Sequence, residues 1–376
     1  MSDKCPSDIM KENNYSFMEF SSNHKEAVIR LLEHLWKRTE TERSELFHWK
    51  YGQNPIIEKP YAFVALNEGE VVGFRGFFPA KYRFGKREVL TLSPSDTIVD
   101  PNHRRKGLFS SMTKYAMEVI AEERKIHFYL NLSSNKYSSP GYLKMGWESI
   151  VPEYKIFSRT LTGMMMGKIS GSGIYRKSKM FFDLADELLY AISSEKPLAG
   201  GRFEITRGLQ SEAIAELSTR FETNRLYHAV DAPYIEWRFR KPFNKYLMSY
   251  LWKSDGGLGA FCMFIDKGNG HFMLADHLHE EARHLQSLLS GFLRKTRANC
   301  VSTWSFAKDG QTLEAMKKAG FYSPKFLYVI NPKYIPLPFL LRPVDLEMGK
   351  ESWVIDGRDI RDVDTWHINP INSDGN

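Results

Sequence analysis

Cysteine is scarce in this sequence: Cys5, Cys262 and Cys300 are the only three in 376 residues. Their odd number and wide spacing argue against a disulfide framework and exclude a CxxC metal or redox motif. Reduced thiols in the cytosol are therefore expected. Long apolar runs are missing too. No stretch approaches the roughly 18 apolar residues of a membrane span, and "YIPLPFLL" (Tyr334–Leu341) is short and holds two prolines. The opening "MSDKCPSDIMKENN" is polar and has no apolar signal core, so no secretory leader is expected and residues 1–14 read as a flexible N-terminus. Neither charge dominates: Lys plus Arg is 52 and Asp plus Glu is 45, a net +7. That surplus suits an anionic small ligand as well as it suits nucleic acid and decides neither, but the cations are scattered among acids with no recognised nucleic-acid-binding motif. What is abundant is core material, with 42% hydrophobic and 14% aromatic residues, which excludes wholesale disorder.

Periodicity gives the elements. Val28, Leu31, Leu32 and Leu35 fall at helical spacing and predict a helix over about 24–39, capped from Ser21, Ser22 or Asn23. A short helix is expected at "ELFHWKY". "YAFVAL" and "VVGFRGFFPAKYRF" flank the turn residues Asn67-Glu68-Gly69 and predict a hairpin. A strand over about 89–99, a helix over 107–122, a strand over 126–132, a short helix ending at Gly146 and a last strand over about 149–157 complete one mixed α/β domain. Residues 161–200 read as a connector with one amphipathic helix.

At the join of strand and helix stands "DPNHRRKGLFSSM" (Asp100–Met112). A helix N-terminus presents unpaired amides and partial positive charge. Three cations are ill placed there unless an anion occupies the site, so Arg104, Arg105, Lys106 and Gly107 form a candidate phosphate cradle.

This stretch resembles motif A of the GNAT superfamily of N-acetyltransferases, whose loop reads Arg/Gln-x-x-Gly-x-Gly/Ala. Arg104 and Gly107 match, and Phe109 replaces the usual small third residue. "NKYSSPGYLKMGW" resembles the family's Asn-x-x-Ala-x-x-x-Tyr-x-x-x-Gly-Phe signature through Asn135, Ser138, Tyr142, Gly146 and Trp147. The resemblance implies acetyl-coenzyme A as donor, with its pyrophosphate on Arg104, Arg105, Lys106, Gly107, Leu108 and Phe109. It implies pairing of the coenzyme's arm with the strand end at Ile98, Val99 and Asp100, and a contact from Asn135. A backbone amide near Val99 would meet the developing oxyanion. Tyr142, a phenol of unperturbed pKa about 10, would protonate the leaving thiolate. Asp96 is the leading candidate base, with Glu148 and His48 behind it. Trp49, Tyr51 and Arg75 are expected near the acceptor, with core packing the simpler role for the tryptophan.

The sequence also repeats itself. "LFHWKYGQNP" resembles "YIEWRFRKPF", aligning Trp49 with Trp237. "VVGFRGFF" resembles "GLGAFCMF", aligning Gly73 with Gly259. "YLKMGWES" resembles "AMKKAGFYS", aligning Gly146 with Gly320. The expected fold is therefore α/β: two GNAT-like domains, each a mixed, mostly antiparallel twisted sheet flanked by helices. The catalytic copy spans 15–160, a degenerate copy 201–332, and a tail 333–376 packs back through Trp353 and Trp366, its last residues "INSDGN" frayed. In the second copy Glu281 aligns with Arg104, His284 with Gly107 and Met316 with Tyr142, so no coenzyme is expected there. His279 and His284 lie five apart, about 140° around a helix, so no HExxH-type metal site is expected. The expected activity is acetyl transfer to the primary amine of a small acceptor, such as an amino sugar, in the cytoplasm. No membrane or nucleic-acid partner is expected, and a homodimer is admissible. The alternative reading is a non-catalytic acyl-coenzyme-A-binding or scaffold protein, and a nucleic-acid binder stands behind it.

Overall fold

The computed structural model describes residues 10–12, 14–135, 137–150, 154–159, 201–220, 225–298, 300–306, 310–321, 339–345 and 349–372. The expected connector (161–200) and the junction at 322–338 lie outside them.

The first half begins with β1 (Met10–Glu12) and β2 (Tyr15–Glu19), which pair antiparallel, so residues 10–12 are a strand where a flexible leader was expected. The expected 24–39 helix is shorter: α1 covers Lys25–Leu31 and passes into a 3-10 turn ending at His34. α2 (Glu40–Phe47) starts at a capping box between Thr39 and Glu42 and continues as a π-turn over His48–Gly52. β3 (Ala62–Asn67) and β4 (Glu70–Phe84) form the expected hairpin. Glu68 and Gly69 both have positive φ, as a two-residue primed turn requires. β5 (Arg87–Val99), α3 (Leu108–Glu123), β6 (Phe128–Asn131), α4 (Ser139–Lys144) and β7 (Glu148–Ser149) follow in the expected order. The apolar face of α3 (Leu108, Met112, Tyr115, Ala116, Ile120) packs on Phe17, Phe63, Phe77 and Tyr129 of the sheet.

β8 (Tyr154–Arg159) was expected to close this first sheet. It does not. It pairs antiparallel with β14 (Cys300–Phe306) in the second sheet. The second half contains β9 (Arg202–Thr206), α5 (Ser211–Arg220), β10 (Leu226–His228), α6 (Ala232–Phe239), β11 (Tyr246–Trp252), β12 (Leu258–Asp266), β13 (His271–His279), α7 (Ala282–Thr296), β14 and α8 (Gly310–Lys318). Its sheet runs β9-β11-β12-β13-β14-β8. The first runs β2-β3-β4-β5-β6, and the next strand is β15 (Leu340–Pro343), which follows the second half in sequence. β15 lies between β6 and β7, β10 pairs with β4, and β8 forms the edge of the second sheet, an exchange that periodicity within one strand cannot reveal.

Trp49 and Trp237 stack across the seam at 4.9 Å and 13°. Each indole N–H donates to the other's backbone carbonyl at 2.8 Å. Such reciprocity is the signature of a two-fold contact, here within one chain. The tail returns as expected through Trp353 and Trp366, buried beside Tyr82, Phe128 and Leu130 of the first sheet. Its last described residues, Ile371 and Asn372, are buried rather than frayed.

Candidate functional site

β5 and β6 are parallel neighbours only at Thr91–Phe128 and Leu92–Tyr129. Beyond that point they part, and a cavity of about 600 Å³ fills the opening. Pro94–Thr97 of β5 line one side, Asn131, Ser133, Asn135 and the α4 residues Gly141 and Tyr142 the other, with Leu35 and Trp36 at the mouth.

A bulge shapes the β5 wall. The register of β4 and β5 shifts between Phe74–Ile98 and Gly76–Ser95, leaving one extra residue on β5, and Asp96 adopts φ 48° there. The bulge turns the Asp96 carboxylate into a convergence of donors. Trp36 Nε1 reaches Oδ1 at 3.0 Å, while Oδ2 receives the Tyr51 hydroxyl at 2.7 Å and the Ser95 hydroxyl at 3.1 Å. Lys50 Nζ lies 2.5 Å from Oδ2, and both charged side chains are buried. A Cβ on Gly76 would collide with the Tyr51 hydroxyl, so glycine there keeps the path to Asp96 open. Among the described residues lining the cavity, Asp96 is the one charged side chain.

At the strand end, Asp100 N donates to Val72 O at 2.9 Å. In the alternating antiparallel ladder the amide and carbonyl of Val99 therefore face the open side, where Arg104 Nε takes the carbonyl at 3.1 Å. Asp100 caps its own turn through Asn102 N at 2.8 Å. Ile98 and Leu108 turn their side chains into the core, so only their backbones can meet a ligand. Arg104, Arg105, Lys106 and Gly107 are exposed around the start of α3, with Gly107 at φ 82° as N-cap. Ser110 N and Ser111 N fold back to Gly107 O, and the first helix amides stay without an intrahelical partner.

Asn135 Oδ1 receives Tyr137 N at 2.9 Å and Ser138 N at 3.1 Å, which fixes the turn into α4. Tyr142 is 3% exposed, yet it reaches the cavity wall. Phe109 stands edge-on to it at 5.5 Å. The bulky third loop residue fits because position 141 is glycine: a Cβ there would come within 2.9 Å of the Phe109 ring.

The other expected acceptor-side residues lie elsewhere. Trp49 is in the seam, Tyr51 serves Asp96, and Arg75 is fully buried behind Tyr142. His48 and Glu148 are exposed and do not line the cavity; Glu148 faces Arg361 at 3.7 Å. Sequence reasoning missed Lys50, Trp36, Ser95 and Thr97. Their signal is spatial, since the π-turn and the bulge bring them together.

The second half has the same ground plan with other contents. β13 and β14 are parallel neighbours at His271–Cys300, Phe272–Val301 and Met273–Ser302 and then part. Residues 370–372 pack against both strands. Asn369 Nδ2 donates to Asp276 Oδ1 at 2.8 Å, and His367 stands edge-on to His277. Eight residues (100–107) separate β5 from α3, whereas two (280 and 281) separate β13 from α7. The Arg104 loop is thus missing here rather than recharged, and the N-cap equivalent to Gly107 is Glu281, which corrects the alignment of Glu281 with Arg104. The Gly73–Gly259 alignment also slips by one. The extra residue beside β3 is Val72 and beside β11 is Gly259, so Gly73 matches Ala260 and Arg75 matches Cys262. Tyr142 and Met316 do correspond: Trp147 N reaches Tyr142 O as Phe321 N reaches Met316 O, each after a positive-φ glycine.

Residues 17–150 match the family model of the acetyltransferase (GNAT) domain. Among solved structures the chain is similar to a conserved Enterococcus faecalis V583 protein described as a probable N-acyltransferase, at 12% identity and TM-score 0.65, covering 90% of this chain and 75% of that one. It is similar to a GCN5-related N-acetyltransferase of Anabaena variabilis at 12% identity and TM-score 0.61, over 90% and 75% of the two chains. N-myristoyltransferase of Saccharomyces cerevisiae with bound myristoyl-CoA matches at 13% identity and TM-score 0.51, over 91% and 82%. At these identities the likeness is one of fold. No curated protein matches the sequence. No described helix is long and apolar enough to cross a membrane. The likeness to the GNAT acetyltransferase domain thus covers residues 17–150 and leaves the rest of the chain outside it.

Proposed function

We propose that the first half transfers an acetyl group from acetyl-coenzyme A to the primary amine of a small acceptor, amino sugars among them. The observation that carries this reading is the cavity between the parted strands, with Thr97, Phe109 and Tyr142 in its lining, while the backbone edge at Val99 and the basic helix start at 104–107 lie between Thr97 and Phe109 along the chain and outside that lining. These features fit the parts of the donor. A pyrophosphate suits the amides and cations of residues 104–109. An amide-bearing arm suits the Val99 edge and the NH2 of Asn135.

The donor, when bound, supplies an activated thioester. The chain's residues then have three tasks. The Val99 amide donates to the thioester oxygen as negative charge grows there. Tyr142 gives its hydroxyl proton to the departing sulphur as the carbon–sulphur bond breaks and the carbon–nitrogen bond forms. Asp96 holds the acceptor nitrogen. Four donors already converge on this carboxylate, so we assign it to accept a hydrogen bond from the amine and to pass the surplus proton to water, not to store it. The test is calorimetry with acetyl-coenzyme A followed by an acceptor screen with thiol detection. Binding and amine-dependent thiol release are expected; no binding at millimolar donor sinks the reading.

A further inference from the structure

Arg75 is the largest buried polar group near the cavity that the mechanism leaves unused. It projects from β4, is 0% exposed, and stands opposite the β5 bulge. One nitrogen, Nη1, donates to the Tyr142 hydroxyl at 2.8 Å and also to the Thr97 hydroxyl. Thr97 and Tyr142 lie on opposite walls of the parted strands, so this one nitrogen ties the two walls together.

The geometry points to Arg75 as the positioning residue of the proton transfer, an inference that rests on the proposed function. A guanidinium only donates. The Tyr142 oxygen must therefore accept from it, and the phenolic hydrogen must point elsewhere. Phe109 and Trp147 flank the Tyr142 ring at 5.5 and 4.8 Å, which leaves the cavity as the direction for that hydrogen. When the proton moves from Tyr142 Oη to the sulphur, negative charge appears on the phenol oxygen beside a cation that is already in place. That cation has little else to do. Among the described residues its Nε and Nη2 have no hydrogen-bond partner, and its plane rests over Phe77 at 4.8 Å, Tyr142 at 5.4 Å and Phe109 at 5.7 Å. A buried cation without a carboxylate is costly to keep, and a phenol oxygen that turns anionic during the reaction gives it a partner. The second half supports the pairing. Where the first has Arg75 and Tyr142, it has Cys262 and Met316, both buried: donor and acceptor are absent together.

The test uses the full chain, acetyl-coenzyme A, and thiol release measured with a panel of primary amines and with water alone. Arg75→Gln is expected to lower kcat about 10²-fold, with KM for acetyl-coenzyme A and calorimetric affinity for coenzyme A unchanged. Arg75→Lys, which keeps a charge and a donor, recovers part of the loss. Arg75→Gln combined with Tyr142→Phe is no slower than Tyr142→Phe alone, because the arginine acts through the tyrosine. Unchanged coenzyme affinity shows that the variants are folded. The inference is overturned if Arg75→Gln and Arg75→Lys both keep the parent kcat, or if the two losses multiply in the double variant. It is also overturned if the parent protein binds coenzyme A but releases no thiol under either condition. A parent protein that does not bind coenzyme A overturns the proposed function itself.

Discussion

Asp96 and Asp276 occupy equivalent places on equivalent strands, β5 and β13, yet their surroundings differ. Asp96 sits on a cavity wall and is met by Trp36, Tyr51, Ser95 and Lys50. Asp276 is buried under the chain's own tail, with Asn369 on its carboxylate. The difference extends to everything around them. The first half keeps an eight-residue basic loop before its helix, a tyrosine on the facing helix, and an arginine behind that tyrosine. The second keeps two residues, a methionine and a cysteine. In one half the parted strands border a cavity, and in the other residues 370–372 pack against both strands of the same gap. What the second half adds to the first is contact: strand β10 beside β4, and the tryptophan seam.

Substitutions at paired positions probe this division. The largest effect is expected at Tyr142. Tyr142→Phe should lower kcat by about 10²–10⁴-fold with little change in coenzyme affinity, whereas Met316→Leu should leave kcat unchanged. Equal losses at both would erase the distinction between the halves. Next comes the seam they share. Trp49→Ala removes a stacked ring and one of two reciprocal hydrogen bonds, and should cost about 3–5 kcal/mol in urea unfolding. A change under about 1 kcal/mol would mean that the two-fold contact does not hold the halves together.

A subtler contrast is electrostatic. Burial pushes the Asp276 carboxyl up to about 6, against about 3.9 when unfolded. Between these values the folded chain binds more protons than the unfolded one. Stability therefore falls as pH rises from about 4 to about 6, by up to about 3 kcal/mol, and the loss is complete above that window. Asp276→Asn should remove this fall, so its stability relative to the parent should improve from pH 4 to pH 7 in paired urea titrations. A constant difference across that range would contradict the assignment. Smallest is Asn369→Ala, which uncovers the buried carboxylate and should cost about 1–3 kcal/mol without altering coenzyme affinity.

The sequence made some of this arrangement legible and hid the rest for identifiable reasons. The loop at Arg104–Gly107 and the helix before Gly146 could be read because their residue types and spacing are local. The seam was foreshadowed by the matched Trp49 and Trp237. The strand exchange was not, because β8 pairs with a partner almost 150 residues away and carries no mark of which sheet it joins. The Asp96 cluster was hidden for a similar reason. Lys50, Trp36 and Tyr51 reach it only after a π-turn and a one-residue bulge have set their directions. The repeat alignment slipped at Gly259 because glycine was matched to glycine, whereas the structurally equivalent bulge residue in the first half is Val72.

The central claim is that one half of the chain binds acyl-coenzyme A and the other cannot. The most direct test is a calorimetric titration of the full chain with acetyl-coenzyme A, beside Arg104→Glu and Glu281→Ala. One site per chain is predicted, weakened at least about tenfold by Arg104→Glu, in line with the loss of a charge-assisted phosphate contact, and unchanged by Glu281→Ala. Two sites per chain, or one site lost through Glu281→Ala and indifferent to Arg104→Glu, would contradict it.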